Sequence, residues 1–184
     1  MKNKFFIATI LTLSFFSVSC SSSSEPSNSS ANISQTDNLT QQNSPALPIE
    51  VPQTLPIVQA TLKGHDLDIM LAKTFEEKRK GLMYRDKIKH NEGMLFVYTY
   101  PQRLAFWMKN TKIPLDIIFF SEKLTIVEMK ANMQPGYGMP DHMLDQYTSA
   151  NLAKYALELN AGSIESFALE IGDKLQIPEI FLSQ

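Results

Sequence analysis

Apolar and polar positions alternate in two short runs between residues 57 and 71, as they do in paired β-strands. The first run extends from Ile57 to Leu62 and the second from Leu67 to Leu71. Lys63-Gly64-His65 separates them and suits a tight turn. The pattern therefore predicts a β-hairpin.

A helix start follows the hairpin. Thr74 stands three residues before Glu77, which is the spacing of a capping box. In that motif each side chain binds the other residue's backbone amide. We predict a helix of about two turns that ends near Leu82-Met83.

The rest of the chain is rich in predicted strands. Apolar runs bounded by turn residues mark them at Gly93–Tyr98, Arg103–Met108, Ile113–Phe120, Leu124–Met129, Ala153–Leu159 and Lys174–Ile177. Pro135–Tyr147 contains two Pro and two Gly and predicts a long loop, and Ser163–Leu169 predicts a short helix. The predicted fold is mainly β (α+β): a single small β-barrel or sandwich-like domain with about seven strands and two short helices.

The N-terminus has the pattern of an export signal. Lys2 and Lys4 precede a mostly apolar run, Phe5–Ser19, and the one Cys of the chain, Cys20, follows it. We predict a signal peptide over residues 1–19. Ser17-Val18-Ser19-Cys20 resembles a bacterial lipobox, although Leu is commoner where Ser17 stands. That resemblance implies lipidation of Cys20; the alternative is a soluble secreted protein with an incidental Cys.

Residues 20–54 join this signal to the domain. They are mostly Ser, Asn, Gln, Thr and Pro, without an aromatic residue. Such a segment cannot bury enough apolar surface to offset the entropy of ordering. We predict a disordered linker over residues 20–54 and a folded domain over residues 55–184.

Composition limits the classes of partner. The 184 residues are 43% hydrophobic and carry a formal net charge of −2, so the chain is globular without a basic excess. We therefore predict no nucleic-acid partner. One Cys excludes an intrachain disulfide and a multi-Cys zinc site. The predicted partners are a membrane, through the lipid anchor, and an unknown ligand or protein of the cell envelope.

Five separated motifs resemble those of one family. They are Gly81–Arg85, Glu92–Val97, Phe106–Thr111, Ile113–Phe119 and Tyr155–Gly162, with Gly172-Asp173 closing the series. They resemble the domain of unknown function 192 (DUF192, UPF0127) family in order and spacing from about residue 57 to 178. The resemblance implies a small, mostly β, exported or membrane-tethered bacterial domain, but no reaction. Relatives often have a Pro-Cys pair after the strand that ends near Met129; this chain has none there.

The segment around Trp107 is the densest group of side chains suited to a ligand. Trp107 offers a stacking face, Asn110 offers a hydrogen-bond donor and acceptor, and Lys109 offers charge. Strand alternation would place Trp107 on the face opposite Phe106. The alternative is that the apolar residues are core and that Asn110-Thr111 form a turn.

Two carboxylates stand inside apolar strands. Asp116 and Glu158 each lie between aliphatic residues, so each needs a partner if it is buried. They could form a general acid/base pair in a shared pocket. They could instead be structural, with Arg85, Arg103 or Lys109 as cationic partners of Asp116.

Metal binding is a further alternative to ligand binding near Trp107 and to an acid/base pair. Met133, Met139, His142 and Met143 lie in or beside one loop. Thioethers with one imidazole suit Cu(I). Met also fills irregular cores, which is the competing interpretation.

These observations favour a non-enzymatic binding or accessory module of the cell envelope, anchored to a membrane and facing the periplasm or the cell exterior. The chain has no G-x-S-x-G, P-loop, G-x-G-x-x-G or H-E-x-x-H motif. We predict no cofactor. The candidate ligand-binding residues are Arg85, Trp107, Asn110, Thr111, Asp116 and Glu158. The alternatives are an envelope enzyme acting on a polar substrate through Asp116 and Glu158, and Cu(I) handling through the Met-rich loop.

Overall fold

A computed structural model describes residues 50–182 of the chain. The predicted signal peptide (1–19), Cys20 and most of the predicted linker lie outside these residues. The elements in chain order are β1 (Ile57–Leu62), β2 (His65–Ala72), α1 (Phe75–Lys80), β3 (Glu92–Gln102), β4 (Ala105–Trp107), β5 (Leu115–Phe120), β6 (Ile126–Met133), β7 (Gln146–Thr148), β8 (Ala153–Asn160), α2 (Ser163–Ser166) and β9 (Leu175–Gln176).

Nine strands form two sheets. The large sheet has seven strands in the order β6-β5-β8-β3-β2-β1-β9, and β4 pairs with β7 in a separate two-stranded sheet. The β2–β3 pair is parallel and its connection contains α1, whereas the other strand neighbours are antiparallel. This confirms the prediction of a mainly β domain with two short helices.

The large sheet curls into a half-barrel. Its edge strands β6 and β9 come together, and an isolated bridge joins Thr125 to Lys174. The Ile126 amide donates to the Asp173 carbonyl over 2.8 Å, and the Leu175 amide donates to the Leu124 carbonyl over 2.9 Å. These bonds cover part of the sheet edges, which would otherwise present unpaired backbone groups.

The two faces of the sheet each carry a hydrophobic core. The inner core fills the concave side and includes Leu62, Leu67, Leu95, Phe120 and Leu157. The outer core includes Met94, Phe96, Phe119 and Ala156 of the sheet, covered by Leu82 and Phe106. The Phe106 ring lies 4.9 Å from that of Phe96 and 5.9 Å from that of Phe119. The outer core thereby fixes β4 against the sheet.

The predicted capping box is confirmed at α1. The Glu77 amide donates to Thr74 Oγ1 over 3.2 Å, and the Thr74 amide donates to a Glu77 carboxylate oxygen over 2.9 Å. The helix ends at Lys80, slightly before the predicted end, because Gly81 takes a positive φ of 49°. Among residues 50–182, no helix is long and apolar enough to cross a membrane.

Several elements differ in extent from the prediction; β6, predicted over Leu124–Met129, runs from Ile126 to Met133. β3 continues through Pro101, which is exposed and lies where the β3–β8 register shifts, so its missing amide costs no regular sheet bond. The loop predicted from Pro135 includes a 3-10 helix, Asp141–Met143, and the start of β7. α2 is shorter than predicted and ends at Ser166, shortly before Ala168 takes a positive φ of 49°.

Candidate functional site

A cavity of about 260 Å³ opens on the outer face of the sheet, between α1 and β4. We call it the Glu158 pocket. Its apolar and aromatic walls include Leu82, Phe96, Tyr98, Phe106 and Trp107. Phe75, Lys78 and Arg79 of α1 also line it, because residues three and four positions apart share one face of a helix.

Glu158 lies at the buried end of this pocket. It is only 5% exposed, and β8 places it beside Met94 of β3 and Ile117 of β5. Within residues 50–182 its carboxyl group makes no hydrogen bond or ion pair, and burial raises its pKa to about 8. The group is therefore a neutral carboxylic acid at pH 7, able to donate and to accept a hydrogen bond.

Lysine and arginine side chains line the pocket together with this acid. Lys78 donates to the Val97 carbonyl over 2.9 Å, and its Nζ lies 4.6 Å from the centroid of the Tyr98 ring. Burial lowers the pKa of Lys78. Burial, together with the negative charge that Glu158 carries above its own pKa, raises the pKa of Tyr98 to about 12. Tyr98 therefore stays protonated at neutral pH.

Trp107 and Thr111, both candidates from the sequence, line the same pocket. Trp107 is 40% exposed whereas Phe106 and Met108 are buried, so the expected alternation is confirmed. The Lys109 Nζ lies 5.1 Å from the centroid of the Trp107 ring and 2.6 Å from an Asp141 oxygen. Thr111 is 4% exposed, and its hydroxyl donates to the Lys109 carbonyl over 3.2 Å.

Asn110 is outside the lining of the pocket. Its side-chain amide donates to the Tyr84 hydroxyl over 2.7 Å, and its carbonyl accepts from the Tyr84 amide over 2.8 Å. Both residues have a positive φ, 52° for Asn110 and 65° for Tyr84. Asn110 thus ties two turns together, in agreement with the alternative interpretation that it is a turn residue.

Arg85 also lies away from the pocket lining. Its guanidinium donates to the Gln53 carbonyl over 2.6 Å and contacts the Met70 sulfur at 3.2 Å. Gln53 in turn donates to the carbonyls of Glu77 over 2.9 Å and of Gly81 over 2.8 Å. Arg85 therefore holds the segment that precedes β1 against the end of α1.

The surroundings of Asp116 contradict the prediction of a cationic partner. It is fully buried, and its carboxylate accepts the Asn132 amide over 2.8 Å and the Ile164 amide over 2.9 Å. Its partners are backbone amides, so the expectation of a cationic partner is wrong: Arg85 binds Gln53 and Lys109 pairs with Asp141, and Arg103 is exposed on the surface.

The expected acid/base pair is also wrong. Asp116 pairs with Leu159 in the sheet, and Ile117 pairs with Glu158. Because directly paired residues share a face and successive residues alternate, Asp116 and Glu158 point to opposite faces. They share no cleft, and the envelope enzyme that required both in one cleft is not supported.

The Met-rich loop does not assemble its four candidate ligands. Met133 is 1% exposed and belongs to the outer core. Met139 and Met143 line a small cavity of about 50 Å³ beside Met108, and His142 is not among its lining residues. Within residues 50–182, no three His, Cys, Asp or Glu side chains are grouped to hold a metal ion. Met133 is thus a packing residue in the described structure, and Cu(I) binding by Met133, Met139, His142 and Met143 stays a prediction.

Sequence reasoning missed most of the lining. Lys78, Lys80, Leu82 and Tyr98 face the pocket, and none of them was a candidate. The spacing of Phe75, Lys78 and Arg79 could have indicated one helix face, but the sequence does not show what that face covers. Tyr98 is separated from Glu158 by 60 positions, so only the β3–β8 pairing brings them together.

Comparison with known proteins places this arrangement in a family. The model of the DUF192 family, described as "Uncharacterized ACR", matches residues 58–177. No curated protein matches the chain.

Two solved structures are similar throughout the domain. One is a protein of Sinorhizobium meliloti 1021 provisionally described as a transcription regulator: 31% identical, TM-score 0.62, with 68% of this chain and 96% of that chain covered. The other is a protein of unknown function from Novosphingobium aromaticivorans DSM 12444: 35% identical, TM-score 0.60, with 66% and 86% covered. The chain thus belongs to the DUF192 family, whose function is uncharacterised.

Proposed function

We propose that this domain is a non-enzymatic binding module that takes a small ligand in the Glu158 pocket. The observation that carries the proposal is the Glu158 carboxyl group, which lines an aromatic cavity and makes no hydrogen bond with residues 50–182. The fully buried unpartnered side-chain atoms of these residues are Arg85 Nε and Ser163 Oγ, so the Glu158 oxygens open on the cavity. Holding a carboxyl group among apolar walls costs part of its hydration free energy. A ligand that exchanged a hydrogen bond with Glu158 would offset that cost.

Two larger concavities on the described surface lack this feature. One measures about 380 Å³ and is lined by Asp116, whose carboxylate already accepts two backbone amides. The other measures about 580 Å³ and lies along β1 and β9. The charged residues that line it, Asp66, Lys174 and Glu179, are all exposed. An enclosed apolar pocket with a few convergent polar groups is the usual form of a ligand site, and the Glu158 pocket fits that form better.

The module would act at the cell envelope. Lys2, Lys4 and the apolar run before Cys20 support export and lipidation. Several acyl chains on Cys20 would hold the chain on a bacterial membrane, facing the periplasm or the cell exterior. The part of the predicted linker that precedes Gln53, which is itself bound to the end of α1, would serve as a flexible tether. Export and a net charge of −2 both argue against extending the transcriptional role named for the S. meliloti protein to this chain.

Native mass spectrometry of the full chain, extracted gently from membranes in detergent, tests the binding role. We expect a retained small-molecule mass. Ala105 is exposed at the pocket wall, so Ala105→Trp should fill the cavity and abolish the retained mass. Lys123→Trp adds the same side chain in an exposed turn and should keep it. A bare protein mass in the wild type, or equal retention in both variants, would contradict the proposed site.

A further inference from the structure

The charged groups that line the Glu158 pocket are strongly unbalanced. Four cations line it: Lys78, Arg79, Lys80 and Lys109. Glu158 is the one acidic residue in the lining. A concave site with one sign of charge and apolar walls concentrates the opposite charge.

Two of the four cations already have carboxylate partners. Arg79 binds Glu76 over 2.6 Å and Lys109 binds Asp141 over 2.6 Å. Lys78 donates to the Val97 carbonyl and contacts the Tyr98 ring, and neither Lys78 nor Lys80 makes an ion pair with any residue between 50 and 182. Burial lowers the pKa of Lys78, and the charge of Glu77 opposes this shift to a smaller extent. Within the described residues, these two ammonium groups therefore have no carboxylate in direct contact.

The walls favour a flat apolar group. Five aromatic side chains line one small cavity: Phe75, Phe96, Tyr98, Phe106 and Trp107. Aromatic faces pack well against the ring of a ligand. The cavity volume of about 260 Å³ falls below the common range for drug-sized ligands, so it suits a single ring.

We infer that the Glu158 pocket binds a small aromatic anion, whose ring lies among the aromatic walls and whose acidic group contacts Lys78 and Lys80. The inference rests on the proposed function and specifies its ligand class. Glu158 would donate a hydrogen bond to a polar atom on the ring, and as a neutral acid it would not repel the anion.

Trp107 provides the readout, because it is the one tryptophan of the chain and it lines the pocket. The probes are three compounds of similar shape: 4-nitrobenzoate, neutral 4-nitrobenzyl alcohol and cationic 4-nitrobenzylammonium. Each is titrated into the full chain at neutral pH, and quenching of Trp107 emission is corrected for absorption by the probe. We expect saturable quenching, with the anion binding at least about tenfold more tightly than the neutral compound.

Two lysine variants test the contact. Lys78→Met keeps the aliphatic chain and removes the charge, so it should remove most of the preference for the anion. Lys123→Met removes one positive charge from an exposed turn outside the pocket, and it should leave the preference intact. Far-UV circular dichroism of both variants establishes that they are folded.

The outcomes separate the two proposals. Equal or tighter binding of the neutral or cationic probe, or an unchanged preference in Lys78→Met, would overturn the ligand class and leave the binding role standing. Absence of saturable quenching by all three probes would also overturn the ligand class. If the native mass spectrum then shows a retained mass that Ala105→Trp removes, the binding role survives; if it shows none, both proposals fail.

Discussion

Asp116 and Glu158 are both buried carboxylates, yet their surroundings assign them opposite roles. Asp116 accepts two backbone amides, from the start of α2 and from β6. Glu158 accepts no hydrogen bond within residues 50–182 and faces a cavity. The first arrangement stabilises the fold because the charge is satisfied, whereas the second leaves a polar group available to a ligand.

Substitution of Asp116 should affect stability alone. Asp116→Ala leaves the Asn132 and Ile164 amides without their acceptor, so we expect a loss of about 2–4 kcal/mol in the free energy of unfolding by urea. The affinity of the folded protein for 4-nitrobenzoate should not change. A variant as stable as the wild type, or one that loses binding while folded, would contradict the structural role.

Glu158 should make the folded state less stable as pH rises, because its pKa is raised on folding. Its pKa is about 8 in the folded state against an ordinary value of 4.5, so the folded state holds the extra proton between these values. The free energy of unfolding should therefore fall as pH rises through this window, by at most about 1.4 kcal/mol per pH unit. Urea unfolding of the wild type and Glu158→Gln, compared at several pH values, isolates this contribution. Parallel curves for the two proteins would contradict it.

Among the secondary-structure elements, those that depend on neighbouring residues could be predicted from the sequence. The pairing of strands that lie far apart in the chain could not. The capping box at Thr74 and the hairpin turn at Gly64 depend on neighbouring residues, and both were predicted correctly. β4 and β7 are short strands that lie far apart in the chain, with Ala105 paired to Thr148 and Trp107 to Gln146, so β7 could not be separated from the loop before it. Tertiary packing determines such pairs.

The loop after β6 requires glycine at position 136, because neighbouring atoms leave no room for a side chain. A Cβ on Gly136 would lie 2.6 Å from the Met108 carbonyl oxygen and 2.5 Å from a Leu144 methyl. We expect Gly136→Ala to cost about 1–3 kcal/mol in unfolding by urea, because backbone must move.

Gly138→Ala is the matched control in the same loop. Gly138 has open space around its Cβ position but a φ of +73°, so only backbone strain of about 1–2 kcal/mol is expected there. If Gly136→Ala changed the free energy of unfolding as little as an ordinary surface substitution does, the loop would be packed differently.

For the whole molecule, the fold class followed from strand-like runs and turn residues, and the five motifs indicated the family. The pocket did not follow from them, because its walls come from α1, β3, β4 and β8, which only the assembled sheet brings together. Of the six candidate ligand residues, Trp107, Thr111 and Glu158 converge there. Arg85, Asn110 and Asp116 have structural partners instead.

Membrane attachment is a prediction about the whole chain that depends on one residue. Cys20→Ser removes the thiol that would be acylated, so the protein should move from the membrane fraction to the soluble fraction. Fractionation with radiolabelled palmitate measures both the location and the label. Wild-type protein without label, or a Cys20→Ser variant that stays with the membranes, would contradict the lipid anchor.

Ligand binding in the Glu158 pocket, as proposed, depends most on Glu158 being a neutral, unpartnered acid at physiological pH. Carbon-13 NMR of the glutamate side-chain carboxyl groups, assigned by comparison with Glu158→Gln and followed across pH, measures this directly. We expect one carboxyl resonance, absent from the variant, to titrate near pH 8, as burial in the pocket requires. Titration of that resonance near the ordinary value of 4.5 would show a solvated or paired group, and it would contradict the central role assigned to the Glu158 pocket.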